Sequence, residues 1–153
     1  MNIQDFRSAM GCFVTGVTGV TVVTAIRNDG PVGVTANSFS SVSLDPPLVL
    51  WSVSVNSRKH QVMTEVKNYA INVLSKSQNE IALKFSGKPE PFLNLDTALG
   101  LGDVPLIENA VAVFECERHV VYKGGDHSII LGLVRSVKKS KLEPLTFLRG
   151  GFA

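Results

Sequence analysis

The chain has 153 residues, 44% of them hydrophobic and 18% charged, and a formal net charge of +2. That length suits one ordinary domain, residues 1–153, with a core that needs no disulfide staples, and the composition excludes intrinsic disorder. Basic residues are scattered, with no run longer than Lys138-Lys139, which excludes the electrostatic footprint of a nucleic-acid or anionic-membrane binder.

No apolar stretch approaches the roughly 20 residues of a membrane span. Asp5 and Arg7 stand among polar residues where a signal peptide would run from basic to apolar, so a cytoplasmic protein is expected. Cys12 and Cys116 lie far apart in apolar surroundings, and the expectation is two buried free thiols.

The first predicted element is a short helix capped by Asn2, with Ile3, Phe6 and Met10 at helical spacing. Val20 to Ala25 is β-branched and strand-like. Asn28-Asp29-Gly30-Pro31 is turn chemistry, and Val32 to Ala36 returns as the second arm of a hairpin. Leu44-Asp45-Pro46-Pro47 breaks the chain. Leu48 to Val53 shows little polar alternation, which predicts a strand buried on both faces. Ser57 is positioned to cap a helix through His60, Val62, Met63 and Val66; Tyr69 to Leu74 is a strand. Ser77 and Glu80 fit a capping box for a helix through Ile81, Leu83 and Phe85. Ser86 to Pro105, rich in Gly and Pro, is expected as an excursion or lid. A long hairpin follows, Ala110 to Tyr122 and Ser128 to Val137 around Lys123-Gly124-Gly125-Asp126, and Pro144 precedes a last strand at Leu145 to Leu148.

Many short strands with few helices predict a mainly β fold, a closed or nearly closed antiparallel barrel. The lack of strand–helix alternation excludes a doubly wound parallel sheet. The one repeat, Thr15-Gly16-Val17 followed by Thr18-Gly19-Val20, is too short for a solenoid.

Familiar catalytic devices are missing. There is no phosphate-loop motif, no G-x-G-x-x-G after a strand and no G-x-S-x-G elbow. His60, His119 and His127 lack zinc-ligand spacing, so no metal site is expected. Three polar clusters remain. In Thr35-Ala36-Asn37-Ser38-Phe39-Ser40-Ser41-Val42-Ser43, neutral donors interrupt a barrel sequence; the segment is either a rim for a heteroaromatic ring and a phosphate, or a Ser-rich loop. Asn56-Ser57-Arg58-Lys59-His60 puts N–H groups, a hydroxyl and two cations at a helix start, which is either an anion site or a solvated N-terminus. Gly124-Gly125-Asp126-His127 places a polar pair at a hairpin tip, and is either a ligand contact at the barrel mouth or a plain turn.

Together these clusters resemble the short-chain flavin reductase family, the reductase components of two-component flavin monooxygenases. The resemblance runs from Phe6-Arg7-Ser8-Ala9-Met10-Gly11-Cys12-Phe13 through Thr18 to Thr24 and the T-A-N-S-F-S-S-V-S-x-x-P-P-L block from Thr35 to Leu48. It continues through Asn56-Ser57, Phe85-Ser86-Gly87, Gly125-Asp126-His127 with Ile130-Leu131-Gly132, and Pro144-Leu145 with Phe147-Leu148-Arg149-Gly150. Two departures stand out: the Thr-Gly-Val is doubled, and Lys59 occupies the place where a threonine often follows the serine by two.

The resemblance implies an FMN-binding split β-barrel, a homodimer, and reduction of FMN or FAD by NADH or NADPH, with the reduced flavin diffusing to an oxygenase. Thr35, Ala36, Asn37, Ser38, Phe39, Ser40, Ser41 and Val42 would line the flavin, with Phe85 nearby. Ser57 with Arg58 or Lys59 would meet the phosphate. Gly125, Asp126 and His127 would border the nicotinamide, with Arg149 and Phe152 as the C-terminal element. Hydride transfer requires the two rings stacked at about 3–3.5 Å and donors toward the flavin edge where charge develops, so His127 is cast as a positioning group. The alternatives are an FMN-binding electron carrier, a related split-barrel oxidase acting on another ligand, and a purely structural dimeric barrel.

Overall fold

The computed structural model describes Asn2, Gln4, residues 18–148 and residues 150–152. The expected N-terminal helix through Ile3, Phe6 and Met10, together with Cys12, Thr15-Gly16-Val17 and Arg149, lies outside the described residues.

The described strands, in chain order, are β1 (Thr18–Gly19), β2 (Thr21–Arg27), β3 (Gly30–Ala36), β4 (Ser40–Leu44), β5 (Pro47–Ser54), β6 (Asn68–Val73), β7 (Thr97–Leu99), β8 (Pro105–Ile107), β9 (Ala112–Gly124), β10 (His127–Lys139), β11 (Thr146–Leu148) and β12 (Gly151–Phe152). The helices are α1 (His60–Glu65), between β5 and β6, and α2 (Asn79–Lys84), after β6. Seven strands form one antiparallel sheet in the order β3-β2-β6-β9-β10-β5-β4. It curls around Val23, Val32, Trp51, Tyr69 and Ile130, with Met63 of α1 in the same core. Its edge strands β3 and β4 are not bonded to each other, so the barrel stays open. Strands β1, β11 and β12 form a separate three-stranded sheet, and β7 pairs with β8.

The expected hairpin at Asn28 to Pro31 is present, with Gly30 at φ +128° where a side chain would be strained. The expectation for Leu48 to Val53 is corrected. In β5 only Val49, Trp51 and Val53 are buried, and the residues between them are half-covered. This strand has only β4 beyond it in the sheet. Burial on both faces belongs instead to β2 and β6. Val23 and Ala25 face the barrel core, while Val22 packs with Leu74, Phe85 and Leu145 on the other side.

Two capping assignments also shift. Lys59, not Ser57, is the N-cap of α1, and it makes no side-chain cap bond. The box before α2 is formed by Ser75 and Gln78, with the Ser75 N–H donating to Gln78 Oε1 at 3.0 Å; Ser77 is exposed. Gln78 is held further by its side-chain bond to the Glu108 carbonyl, so the box sits two residues before the expected one.

The segment from Ser86 to Pro105 is no lid at its C-terminal end. Val104, Leu106 and Ile107 are buried against Ala70 and the second core. Asn72, fully buried on β6, pins this segment to the sheet: its Nδ2 donates to the Val22 carbonyl (2.9 Å) and Thr24 Oγ1 (3.0 Å), and its Oδ1 accepts the Ile107 N–H (2.9 Å). Thr24 Oγ1 in turn donates to the Pro105 carbonyl. Replacing Asn72 by leucine leaves the buried Ile107 N–H without its acceptor, so Asn72→Leu is expected to cost about 1–3 kcal/mol in urea unfolding. A loss within experimental error would show that this hairpin is not anchored there.

Candidate active site

The site begins with the register of β10 on β5, which sets His127 opposite Ser54. The β9–β10 hairpin reverses at Gly125-Asp126, with Gly125 at φ +71°, and the Asp126 carbonyl accepts the Val55 N–H at 2.9 Å. The chain leaves β5 through a tight turn. The Ser57 N–H donates to the Ser54 carbonyl (3.0 Å), and the Ser57 hydroxyl accepts the Lys59 N–H (3.1 Å). Across the barrel opening, β3 ends and Asn37-Ser38 leads into β4.

These segments enclose a cavity of about 230 Å³, lined by Val34, Thr35, Ala36, Asn37, Ser38, Trp51, Ser52, Val53, Ser54, Ser57 and His127. All three sequence clusters therefore contribute to one place. Among the described residues, the wall contains no carboxylate and, besides His127, no titratable group. His127 Nδ1 lies 2.8 Å from Asp126 Oδ1, and both side chains are largely exposed. Behind Trp51, burial pushes the Tyr69 hydroxyl well above its ordinary pKa and the Cys116 thiol up to about 12. Both stay protonated, so the back of the wall is uncharged as well. Trp51 Nε1 and the Tyr69 hydroxyl are buried without a hydrogen bond of good geometry, their rings tilted at 57°.

Several predicted residues hold the wall by bonds within the protein. Thr35 Oγ1 donates to the Ala82 carbonyl at 2.6 Å, which leaves it only acceptor capacity. Ser38 Oγ donates to the Ser52 carbonyl (3.2 Å) and accepts the Ser52 N–H (2.9 Å). Asn37 is exposed. The open donors at this wall are thus fewer than the composition of the segment suggests.

Other predicted residues are placed elsewhere. Phe39 packs on Phe114 at 5.1 Å. Ser40, Ser41 and Val42 form the edge strand β4, outside the cavity wall. The Phe85 ring is buried in the second core against Phe92 at 4.9 Å, and it is its carbonyl that meets the Thr35 N–H. Arg58 lines a neighbouring groove with Arg27, Gln61 and Glu65. Phe152 stacks edge-on against Phe147 in the small sheet at 5.8 Å. Missed by sequence reasoning were Val34, Trp51, Ser52, Val53 and Ser54. The signal available for them was the Ser52/Ser54 alternation running on into Asn56-Ser57.

The sequence matches the profile of the flavin reductase like domain over residues 10–153. The chain belongs to this family. It is 44% identical over 151 residues to the FMN reductase (NADH) SmoA of Agrobacterium fabrum, covering 99% of this chain and 85% of the relative. It is 43% identical over 151 residues to the stachydrine N-demethylase reductase subunit Stc3 of Rhizobium meliloti, covering 97% of this chain but only 64% of that protein. Among solved structures it resembles the NADH:FAD oxidoreductase SgcE6 of Streptomyces globisporus in complex with NAD and FAD fragments, with a TM-score of 0.90 at 39% identity, covering 100% of this chain and 94% of the other. The open antiparallel sheet of this flavin reductase like domain is a split barrel, as the resemblance implied.

The cavity fits a flavin by its chemistry. Val34, Trp51 and Val53 offer apolar contact to a planar ring, and Asn37, Ser54 and Ser57 offer neutral polar groups at its edge. Among the described residues that line the cavity there is no carboxylate, and that of Asp126 beside it is paired with His127.

Proposed function

We infer that this protein is an NAD(P)H:flavin oxidoreductase that reduces FMN or FAD and passes the reduced flavin to a separate oxygenase component. The observation that carries this reading is the neutral cavity where residues 34–38, residues 51–57 and His127 meet, on a chain of the flavin reductase family. The NADH named for SmoA and for the Streptomyces oxidoreductase favours NADH as donor, and the reductase-subunit name of Stc3 supports an oxygenase partner.

When bound, the flavin supplies the electronics of hydride transfer. The protein's own residues orient and exclude. Val34, Trp51 and Val53 hold the ring plane, and Asn37 with the backbone of Ala36 and Ser38 meets its polar edge. Thr35 and Ser38 act by fixing that backbone, Phe39 anchors the chain on Phe114, and Ser40, Ser41 and Val42 continue it as the edge strand outside the wall. Ser57 takes the phosphate end with Lys59 or Arg58, and His127, braced by Gly125 and Asp126, positions the nicotinamide. No side chain is required as acid or base, which agrees with the neutral wall.

The cavity enclosed by one chain is small. Its volume falls below the roughly 300–1,000 Å³ usual for ligand pockets. Edge strand β4 meanwhile exposes Val42 at 48% and Leu44 at 94%. A second copy covering β4 would bury these side chains and wall the cavity, so the reading includes a homodimer working in the cytoplasm. Among the described residues, no helix is long and apolar enough to cross a membrane.

Anaerobic addition of NADH to the flavin-loaded protein is expected to bleach the flavin; tight flavin binding without bleaching would make the protein an electron carrier. His127→Ala is expected to lower kcat/KM for NADH about ten- to a hundredfold, the size of a positioning loss, while flavin affinity stays unchanged. Normal kinetics in the folded variant would remove that role. Because Arg58 turns toward the groove of Glu65, Lys59→Ala is expected to weaken FMN about tenfold or more through a lost charge-assisted bond, with riboflavin unaffected. A larger effect of Arg58→Ala would reassign the cation. Light scattering at micromolar concentration should give a dimer, and Leu44→Asp a monomer with weakened flavin binding. A fully active wild-type monomer would overturn the dimer.

A further inference from the structure

A closed circuit of contacts runs along the β5–α1–β10 side of the cavity. The Ser54 carbonyl accepts the Ser57 N–H at 3.0 Å, and the Ser57 carbonyl accepts the His60 N–H at 3.1 Å. His60 Nε2 is hydrogen-bonded to Ser128 Oγ at 2.7 Å. Ser128 adjoins His127, which pairs with Ser54 and returns the circuit to its start. The bond from the Val55 N–H to the Asp126 carbonyl stitches the hairpin tip across it.

Within this circuit the His60–Ser128 bond is made between side chains, and it joins α1 to the β10 end of the site. Ser128 is 8% exposed, so its hydroxyl needs a partner inside the protein, and His60 supplies one. The imidazole has firm support, since His60 opens a helix whose Met63 is seated in the barrel core. Two residues assigned to opposite ends of the reaction, Ser57 and His127, are therefore held at a set separation by a histidine that lines neither the cavity nor the groove.

We propose that His60 is a positioning residue for the reduction: through Ser128 it fixes His127 relative to Ser57, and so holds the nicotinamide side of the site in place over the flavin side. The proposal rests on the flavin reductase reading. It assigns His60 no contact with either ring and no proton to move. Without the bond, the hairpin tip loses its tie to α1 and keeps its pairing with β5 and the bond from the Val55 N–H, and a displacement of about 1 Å at a reacting geometry is enough to cost about a hundredfold in rate.

The test uses the full chain as His60→Ala, Ser128→Ala, the double variant and His60→Gln, whose amide reaches about as far as Nε2. Four quantities are measured: KM and kcat for NADH, the Kd for FMN, and hydrogen exchange at the Val55 amide. Either alanine variant is expected to lower kcat/KM for NADH about tenfold or more, with the Kd for FMN changed by less than about twofold, and the double variant should be no worse than either single one. His60→Gln should restore most of the loss. Additive losses, unchanged NADH kinetics, or a loss shared equally by FMN binding would overturn the proposal, because a merely structural histidine lowers stability without that split. If His60→Ala fails to fold, Ser128→Ala and His60→Gln decide the same question. Exchange at Val55 needs no turnover. Faster exchange in the variants supports the tie and unchanged exchange refutes it, even if the wild-type protein proves unable to oxidise NADH, a result that would remove the reductase reading itself.

Discussion

The register of β10 on β5 is the constraint on which the rest of the site depends. With His127 opposite Ser54 and Leu133 opposite Leu48, alternate residues of both strands are committed to the barrel interior. Ser128 and Ile130 of β10 are buried with Val49, Trp51 and Val53 of β5. A slip by one residue would turn each of these side chains to the other face, removing Trp51 from the cavity wall and Ile130 from the core. The same pairing brings the hairpin tip to the turn at Ser54–Ser57. The bond between Val55 and Asp126 forms there because both strands end at the same level.

Around that pairing, polar side chains serve the scaffold before any ligand. Thr35, Ser38, Thr24 and Asn72 each bond to a backbone group of a neighbouring strand or, for Thr35, of helix α2. A buried carbonyl or N–H without a partner costs more than a hydrogen bond gains, and such groups stand both beside the open seam, at Thr35 and Ser38, and on the interior strands, at Thr24 and Asn72. The cavity consequently takes its neutrality from structure as much as from function. A wall of hydroxyls and amides already engaged within the protein holds its shape without charge, and that suits a ligand whose own chemistry needs orientation more than acid or base.

The sequence was most legible where local chemistry and a dense motif coincide. The turns at Asn28-Asp29-Gly30 and Gly125-Asp126 follow from residues that accept unusual backbone angles, and the block from Thr35 to Ser38 with Ser57 and His127 converges in space. What escaped was settled by tertiary packing. Ser40 to Leu44 is a strand whose apolar residues, Val42 and Leu44, point outward, so its pattern contains no inward-facing signal. The continuous apolar run from Leu48 to Val53 suggested burial on both faces, but position near the sheet edge decided otherwise. Ser86 to Pro105 looked like a lid because its glycines and prolines are visible in sequence, whereas Asn72, the side chain that ties its end down, is distant from it along the chain.

The exposed edge at β4 and the open side of the cavity are best understood together. An edge strand that presents apolar residues is a hazard for an isolated protein, and natural barrels cover, charge or shorten such edges. Here β4 carries no charged residue at all, and it follows directly from Asn37 and Ser38 in the cavity wall. In the proposed homodimer, protecting the edge and completing the ligand site would be the same structural event, with the second copy supplying both. In that arrangement the small volume enclosed by one chain is half of a site, and its neutral lining presents no buried charge for the partner to oppose.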